Sequence, residues 1–229
     1  MPSGRTVGLV AGAVGGGRSS DFGNRTGYVV RAAVGEDVGT AAALLGRVFE
    51  SYPWTTWTVE ESDRRQRLSE LYQVVLDSVA VPFATAWVCD LRDQGCSELV
   101  GAAGWLSPTA DPPAAVWREL VASEVRLRGN RLDAHLAAEA QLEAVRPKGP
   151  HWFLGTVGVL PRHRGRGVAA TLLRPGLRAA AADGLEAYLE TSRVDNLSLY
   201  QRLGFEVSAV VDIVAGGPTV VHAPPDVTP

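Results

Sequence analysis

The chain has 229 residues, 46% hydrophobic and 21% charged, with a formal net charge of −3. That size and balance describe one packed soluble domain with room for an extension. A mildly acidic total argues against a general nucleic-acid binder, which needs a basic surplus to neutralise phosphates, and no apolar run approaches the roughly 20 residues that span a bilayer.

Residues 1–26 are rich in Gly, Ser and Arg and carry little bulky apolar surface, so they are expected to form a disordered extension ahead of a single domain over 27–229. Their "VGLVAGAVGGG" run is interrupted by glycine too often to be the core of a signal peptide. Cys89 and Cys96, the only two cysteines, make neither a zinc cluster nor a disulfide framework and read as free thiols of a cytoplasmic protein.

The first strand is expected in "GYVVRAAV" (27–34), followed by a helix with Val38, Ala42, Leu45 and Phe49 on one face and Asp37 as its N-cap. "YPWTTWTV" (52–59) reads as a loop. A second helix runs through "ESDRRQRLSELYQVVLDSVA", with Leu68, Leu71, Val75 and Val79 as its apolar stripe. "FATAWVCD" and "SELVGAAGWLS" form a hairpin joined by "LRDQG", and 110–146 is helical with a break at "RGN" (128–130). "HWFLGTVGVLP" is a strand stopped by Pro161; "VAATLLRPGLRAAAADG" is a helix ended by Gly184. A strand in "LEAYLETS", a short helix in "VDNLSLYQRLG" and a hairpin from "FEVSAVVDIV" to "TVVHA" complete the chain. This order predicts an α/β (mixed α+β) fold, a sheet partly antiparallel and partly parallel with helices on its faces.

Between the strand ending at Pro161 and the following helix lies "RHRGRG" (162–167), three arginines, a histidine and two glycines. Small residues at a helix start let a ligand approach amides that have no internal partner, and the helix dipole favours an anion there. Arg162, Arg164 and Arg166 add charge, so the tract suits a pyrophosphate. It is not a Walker loop, because Val168 and Ala169 stand where Lys-Ser/Thr would be needed, nor a dinucleotide fingerprint. A solvated basic loop capping a helix is the plainer alternative. An RNA-binding tract is opposed by the net charge and by the lack of aromatics among the arginines.

Downstream sits "DNLSLYQRLGFE", with Asn196, Tyr200, Gly204 and Phe205 on and after a short helix. Together with "TVGVLPRHRGRGVAATLL" it resembles the GNAT (Gcn5-related) N-acetyltransferase superfamily, and the element order from residue 27 onward agrees. Within it, "RPKGPHWFLGTVGVLP", "LETS" and "NLSLYQRLGF" are most similar to the puromycin N-acetyltransferases, while the "PWTTW" loop is not. The resemblance implies the GNAT fold, here with a helical insert before the cofactor strand. It also implies acetyl-CoA as donor, with cofactor contacts at Val157, Gly158, Val159, Arg162, His163, Arg164, Gly165, Arg166, Gly167, Val168, Ala169 and Asn196. Gly158 is expected to let the cofactor strand bulge and splay. Tyr200 becomes the general acid for the departing thiolate, since a phenol is protonated at neutral pH.

Glu190, at the end of a strand beside the cofactor strand, is the first candidate base, with a structural carboxylate that pairs with the basic loop as its alternative. Glu50 and Glu124 are in reserve. His151 can reach the acceptor or be polar surface, and His163 can assist phosphate binding. Tyr52, Trp54 and Trp57 suggest a flat or cationic acceptor through stacking or cation–π contact, or else core plugs. The expected reaction is acetylation of a small-molecule primary amine, an aminonucleoside or other antibiotic, by a monomer or homodimer that has no nucleic-acid or membrane partner. A protein or peptide acetyltransferase and a non-catalytic CoA-binding regulator are the alternatives.

Overall fold

A computed structural model describes residues 27–214 and 216–223; the expected N-terminal extension lies outside them. Strand β1 (Tyr28–Ala32) is followed by helices α1 (Val38–Phe49), α2 (Pro53–Thr58) and α3 (Arg64–Val75). Strands β2 (Ala86–Asp93) and β3 (Cys96–Leu106) precede the helical insert, α4 (Ala114–Arg128) and α5 (Leu132–Glu143). Then come β4 (Trp152–Val159), α6 (Val168–Ala182), β5 (Ala187–Thr191), α7 (Leu197–Gln201), β6 (Ala209–Asp212) and β7 (Thr219–Ala223).

The strands form one seven-stranded sheet in the order β1-β2-β3-β4-β5-β7-β6. All neighbours are antiparallel except β4 and β5, which run parallel. The mixed sheet expected from the element order is therefore present. One face packs on α1 and α3 through Leu45, Phe49, Leu68, Leu71, Val88 and Ala102. The other packs on α6 and α7 through Val157, Val159, Leu172, Leu173 and Tyr200. Covered on both faces, β4 is buried at every residue and shows no polar alternation.

Three local expectations change. Residues 53–58 form α2: Pro53 occupies its first turn, where a missing N–H costs nothing. The Thr58 hydroxyl donates to the Trp54 carbonyl, and the burial of Trp54 and Thr58 supplies what a six-residue helix lacks on its own. The β2–β3 connection is shorter than expected. Gln94 and Gly95 turn the chain at φ 45° and 84°, so both strands run into the segment read as loop. Asp37 is the last residue of a 3-10 turn rather than a side-chain cap for α1; its carboxylate accepts the Val34 N–H and grips Arg31.

Candidate active site

The β4–β5 ladder consists of Trp152↔Ala187, Phe153↔Tyr188 and Leu154↔Leu189, and pairing stops there. Beyond it β4 continues through Val157, Gly158 and Val159, paired only with Ala103, Ala102 and Gly101 of β3. β5 turns its other edge to β7 through Leu189–Thr191. The bulge that accompanies this fork is at Gly155, which the register between β3 and β4 skips, and not at Gly158. Gly158 has another reason to be glycine: a Cβ there would lie 2.8 Å from Leu45 Cδ2, where α1 crosses β4.

At the far end of β4, a 3-10 turn over Pro161–His163 leads into the basic tract. Gly165 and Gly167 sit in the left-handed region at φ 71° and 78°, a backbone that side chains rarely adopt. The first internal bond of α6 runs from the Thr171 N–H to the Gly167 carbonyl. The amides of Val168, Ala169 and Ala170 therefore precede the helix's own ladder, at the positive end of a 15-residue dipole.

The cations of the tract are not equivalent. Arg162 pairs with Glu98 and donates to His163 Nε2 at 3.0 Å. His163 is buried, its Nδ1 2.9 Å from the Tyr28 hydroxyl. Burial, reinforced by Arg162, lowers its pKa. That ring braces the loop against β1, and the expectation that it meets phosphate does not fit its placement. Arg164 donates to the Val159 carbonyl at 3.2 Å, and both burial and the charge of Arg193 lower its pKa. Arg193 lies just past β5, where the sequence reading named no residue. Two cations held close enough to repel each other are stabilised by a bound anion.

Between fork and loop, Asn196 is buried and donates to Thr191 Oγ1 at 3.3 Å. Tyr200 is fully buried, its ring edge-on to Phe205 at 5.9 Å between centroids. Tyr200 lies on the α6–α7 side of the sheet with Val157 and Val159.

On the opposite side the aromatic residues separate into different tasks. The Tyr52 hydroxyl is 2.9 Å from Thr191 Oγ1 and accepts the Ser192 N–H, tying the start of α2 to the end of β5. Trp54 is buried, edge-on to His135 of α5. Trp57 is half-buried, beside Gly217 of the β6–β7 connection. That connection docks on α5, where the Val214 N–H donates to Gln141 Oε1 at 3.0 Å.

Glu190 does not pair with the basic loop. Arg146, just beyond α5, donates to both its oxygens, Nε to Oε1 at 2.6 Å and Nη2 to Oε2 at 3.0 Å, and the Tyr188 hydroxyl adds a third bond at 2.7 Å. Burial disfavours the Arg146 charge, but its bonds to Glu190 outweigh that and raise its pKa. Both Glu190 oxygens are thereby taken up by Arg146 and Tyr188. Of the other candidates, Glu50 pairs with Arg65 on the surface and Glu124 with Arg128 of the same helix. His151 donates Nδ1–H to the Gly149 carbonyl and packs edge-on against Tyr188. Arg146, Glu139 and His135 give no local signal of their roles in the sequence, because each lies in or just beyond helical sequence that resembles solvated surface.

Residues 47–205 match the acetyltransferase (GNAT) family. The chain belongs to that family. It is an acyltransferase, and acetyl-CoA is its acetyl donor. Among solved structures, a Corynebacterium glutamicum protein crystallised as histone acetyltransferase HPA2 and related acetyltransferase superposes with a TM-score of 0.63. It is 24% identical, and the match covers 89% of this chain and 99% of that one. An agmatine N-acetyltransferase gives a TM-score of 0.56 at 21% identity over 86% of this chain and 98% of its own. A mosquito arylalkylamine N-acetyltransferase-like 5b protein gives 0.52 at 15%, over 86% and 98%. At these identities the likeness is one of fold. Among the described residues no helix is long and apolar enough to cross a membrane.

Proposed function

We propose that this GNAT enzyme acetylates the primary amine of a compact small molecule. The observation that carries this reading is the roof over the acceptor side of the fork. There α5 packs against α2 through His135 and Trp54 and against the β6–β7 connection through Gln141. An extended peptide needs an open groove; the indoles of α2 and the carboxylate of α5 suit a small cation. The amine acceptors in the names of the agmatine and arylalkylamine enzymes agree with this reading.

The residues present fit the donor. The amides from Gly165 to Ala170, with Arg164, Arg166 and Arg193, would hold the pyrophosphate. The open edge of β4 at Val157 and Val159 would bind the pantetheine arm, with Asn196 alongside. Bound there, acetyl-CoA supplies an activated thioester. Tyr200 gives a proton to the departing sulfur, and Arg162 and His163 stiffen the loop from behind. Trp57 and Trp54 line the acceptor side, while Tyr52 and Glu190 hold that side together.

The test is release of free CoA from acetyl-CoA across a panel containing alkyl and arylalkyl amines, agmatine, puromycin and a lysine peptide. Turnover of a small amine is expected. Turnover of the peptide alone, or a CoA-induced thermal shift with no turnover of anything, would overturn the reading. Turnover of puromycin in preference to simple amines would narrow the acceptor to an aminonucleoside.

A further inference from the structure

Four polar atoms on the roof of the fork are buried with no hydrogen-bond partner among the described residues: Trp54 Nε1, Trp57 Nε1, His135 Nδ1 and Glu139 Oε1. Native interiors leave few such atoms, because each forfeits its bonds to water. Here they belong to two helices packed together, α2 and α5, and His135 and Glu139 are four residues apart on one helical face. Two indole N–H donors, a neutral imidazole and one carboxylate oxygen form the complement of a ligand. That ligand carries an N–H donor together with a hydrogen-bond acceptor.

Resting on the amine-acetyltransferase reading, we infer that Glu139 of the helical insert is the general base that accepts the acceptor's ammonium proton through Oε1, directly or through one water. Its Oε2 accepts from Arg146 Nη1 at 2.8 Å. Through Arg146 it is tied to Glu190, one residue past the last β4–β5 pair, so the carboxyl stands at the fork. Glu190 has both oxygens held, and Glu50 lies on the surface beside Arg65; among the described residues, Glu139 is the carboxylate whose second oxygen is buried without a partner.

The charged and titratable groups around it are Arg146, Glu143, Arg128 and Glu124, His135 on its own helix, and Glu190 with Tyr188 on β5. Burial pushes the Glu139 carboxyl up to about 7; Glu190 adds to that rise and Arg146 and Arg128 oppose it. A base poised near neutrality both takes and releases a proton efficiently. His135 stays neutral, because burial and the charges of Arg128 and Arg146 lower its pKa to about 2. It contributes a hydrogen bond and no charge.

In the step, one ammonium N–H bond breaks, its proton joins Oε1, and the electron pair stays on nitrogen. That pair forms the C–N bond to the acetyl carbonyl carbon while the C–S bond breaks with its pair on sulfur. Tyr200 protonates the sulfur and is itself reprotonated by the second nitrogen proton. Amide and thiol leave, and one proton remains on Glu139 for water.

The test compares wild type and Glu139→Gln at saturating acetyl-CoA, following kcat/KM for an alkylamine from pH 5.5 to 10. Wild type should show an acid limb with a midpoint near 7. E139Q should be slower by roughly 10²-fold at pH 7, recover as the amine's own pKa is approached, and keep its KM for acetyl-CoA. An arylamine, already neutral at pH 7, should lose far less. Rates within threefold of wild type with the limb intact would overturn the role of Glu139 while leaving amine acetylation standing; a wild type that turns over no amine removes both. Independently of folding of the variant, wild type carrying carboxyl-13C glutamate should show one resonance titrating near pH 7 that moves when the amine binds. Absence of such a resonance overturns the assignment.

Discussion

Tyr200 and Glu190 carried the same kind of expectation, and their surroundings separate them. Tyr200 keeps its motif position, buried against Phe205 with the cofactor-strand valines, where its hydroxyl is the only function a phenylalanine would lack. Tyr200→Phe should therefore lower kcat by roughly 10²-fold with no change in KM for acetyl-CoA; full turnover at saturation would remove its role as acid. Glu190 is bound on both oxygens by Arg146. That partner lies 44 positions away in sequence, and no local pattern announces it. Trp57 is half-buried with an unpartnered indole N–H, so Trp57→Ala should raise the acceptor KM about tenfold, equivalent to about 1.4 kcal/mol. Steady-state kinetics with each substrate varied in turn would check that acetyl-CoA binding is untouched.

Among the elements, the longer ones were legible because the periodicity of their apolar residues is strong. The stripe Leu68, Leu71, Val75 and Val79 is buried throughout, and Gly184 ends α6 at φ 65°. Helix α2 was not legible, since six residues with three threonines have no helical propensity to reveal. The bulge was placed at the wrong glycine: Gly155 and Gly158 both punctuate β4, and only the partner strand shows which is skipped. Helix α6 depends on a third glycine. A Cβ at Gly176 would overlap the fully buried Trp105 indole. Gly176→Ala should cost about 1–3 kcal/mol from overpacking, in spite of alanine's better helix propensity. It should also raise KM for acetyl-CoA, because α6 follows the proposed pyrophosphate loop; denaturant melts and kinetics would measure both.

For the whole molecule, two buried groups of the insert set opposing pH dependences. Glu139 has its pKa raised from 4.5 to about 7, so its contribution to stability is complete below pH 4.5 and is lost as pH rises through 7. His135 is lowered from 6.5 to about 2; its contribution is present above pH 6.5 and is lost as pH falls toward 2. Between 4.5 and 6.5 the two slopes cancel. Glu139→Gln removes one of them, so its stability relative to wild type should climb from pH 4.5 to 7, by at most about 3 kcal/mol. Thermal melts of both proteins across that range would show it, and parallel curves would refute it.

The chain by itself determined the chemistry. An Arg-rich turn with two glycines between a strand and a helix, followed by Asn196 and Tyr200, is a local arrangement, because adjacent residues build a helix-start anion site wherever that segment folds. Tertiary structure alone decided the contacts of the proposed base and of the proposed acceptor side. Arg146 meets Glu190, Trp54 meets His135, and Glu139 is left with one bare oxygen only once α5 closes over α2 and the end of β5. A residue's contacts across a fold, and the pKa they impose, depend on neighbours distant in sequence.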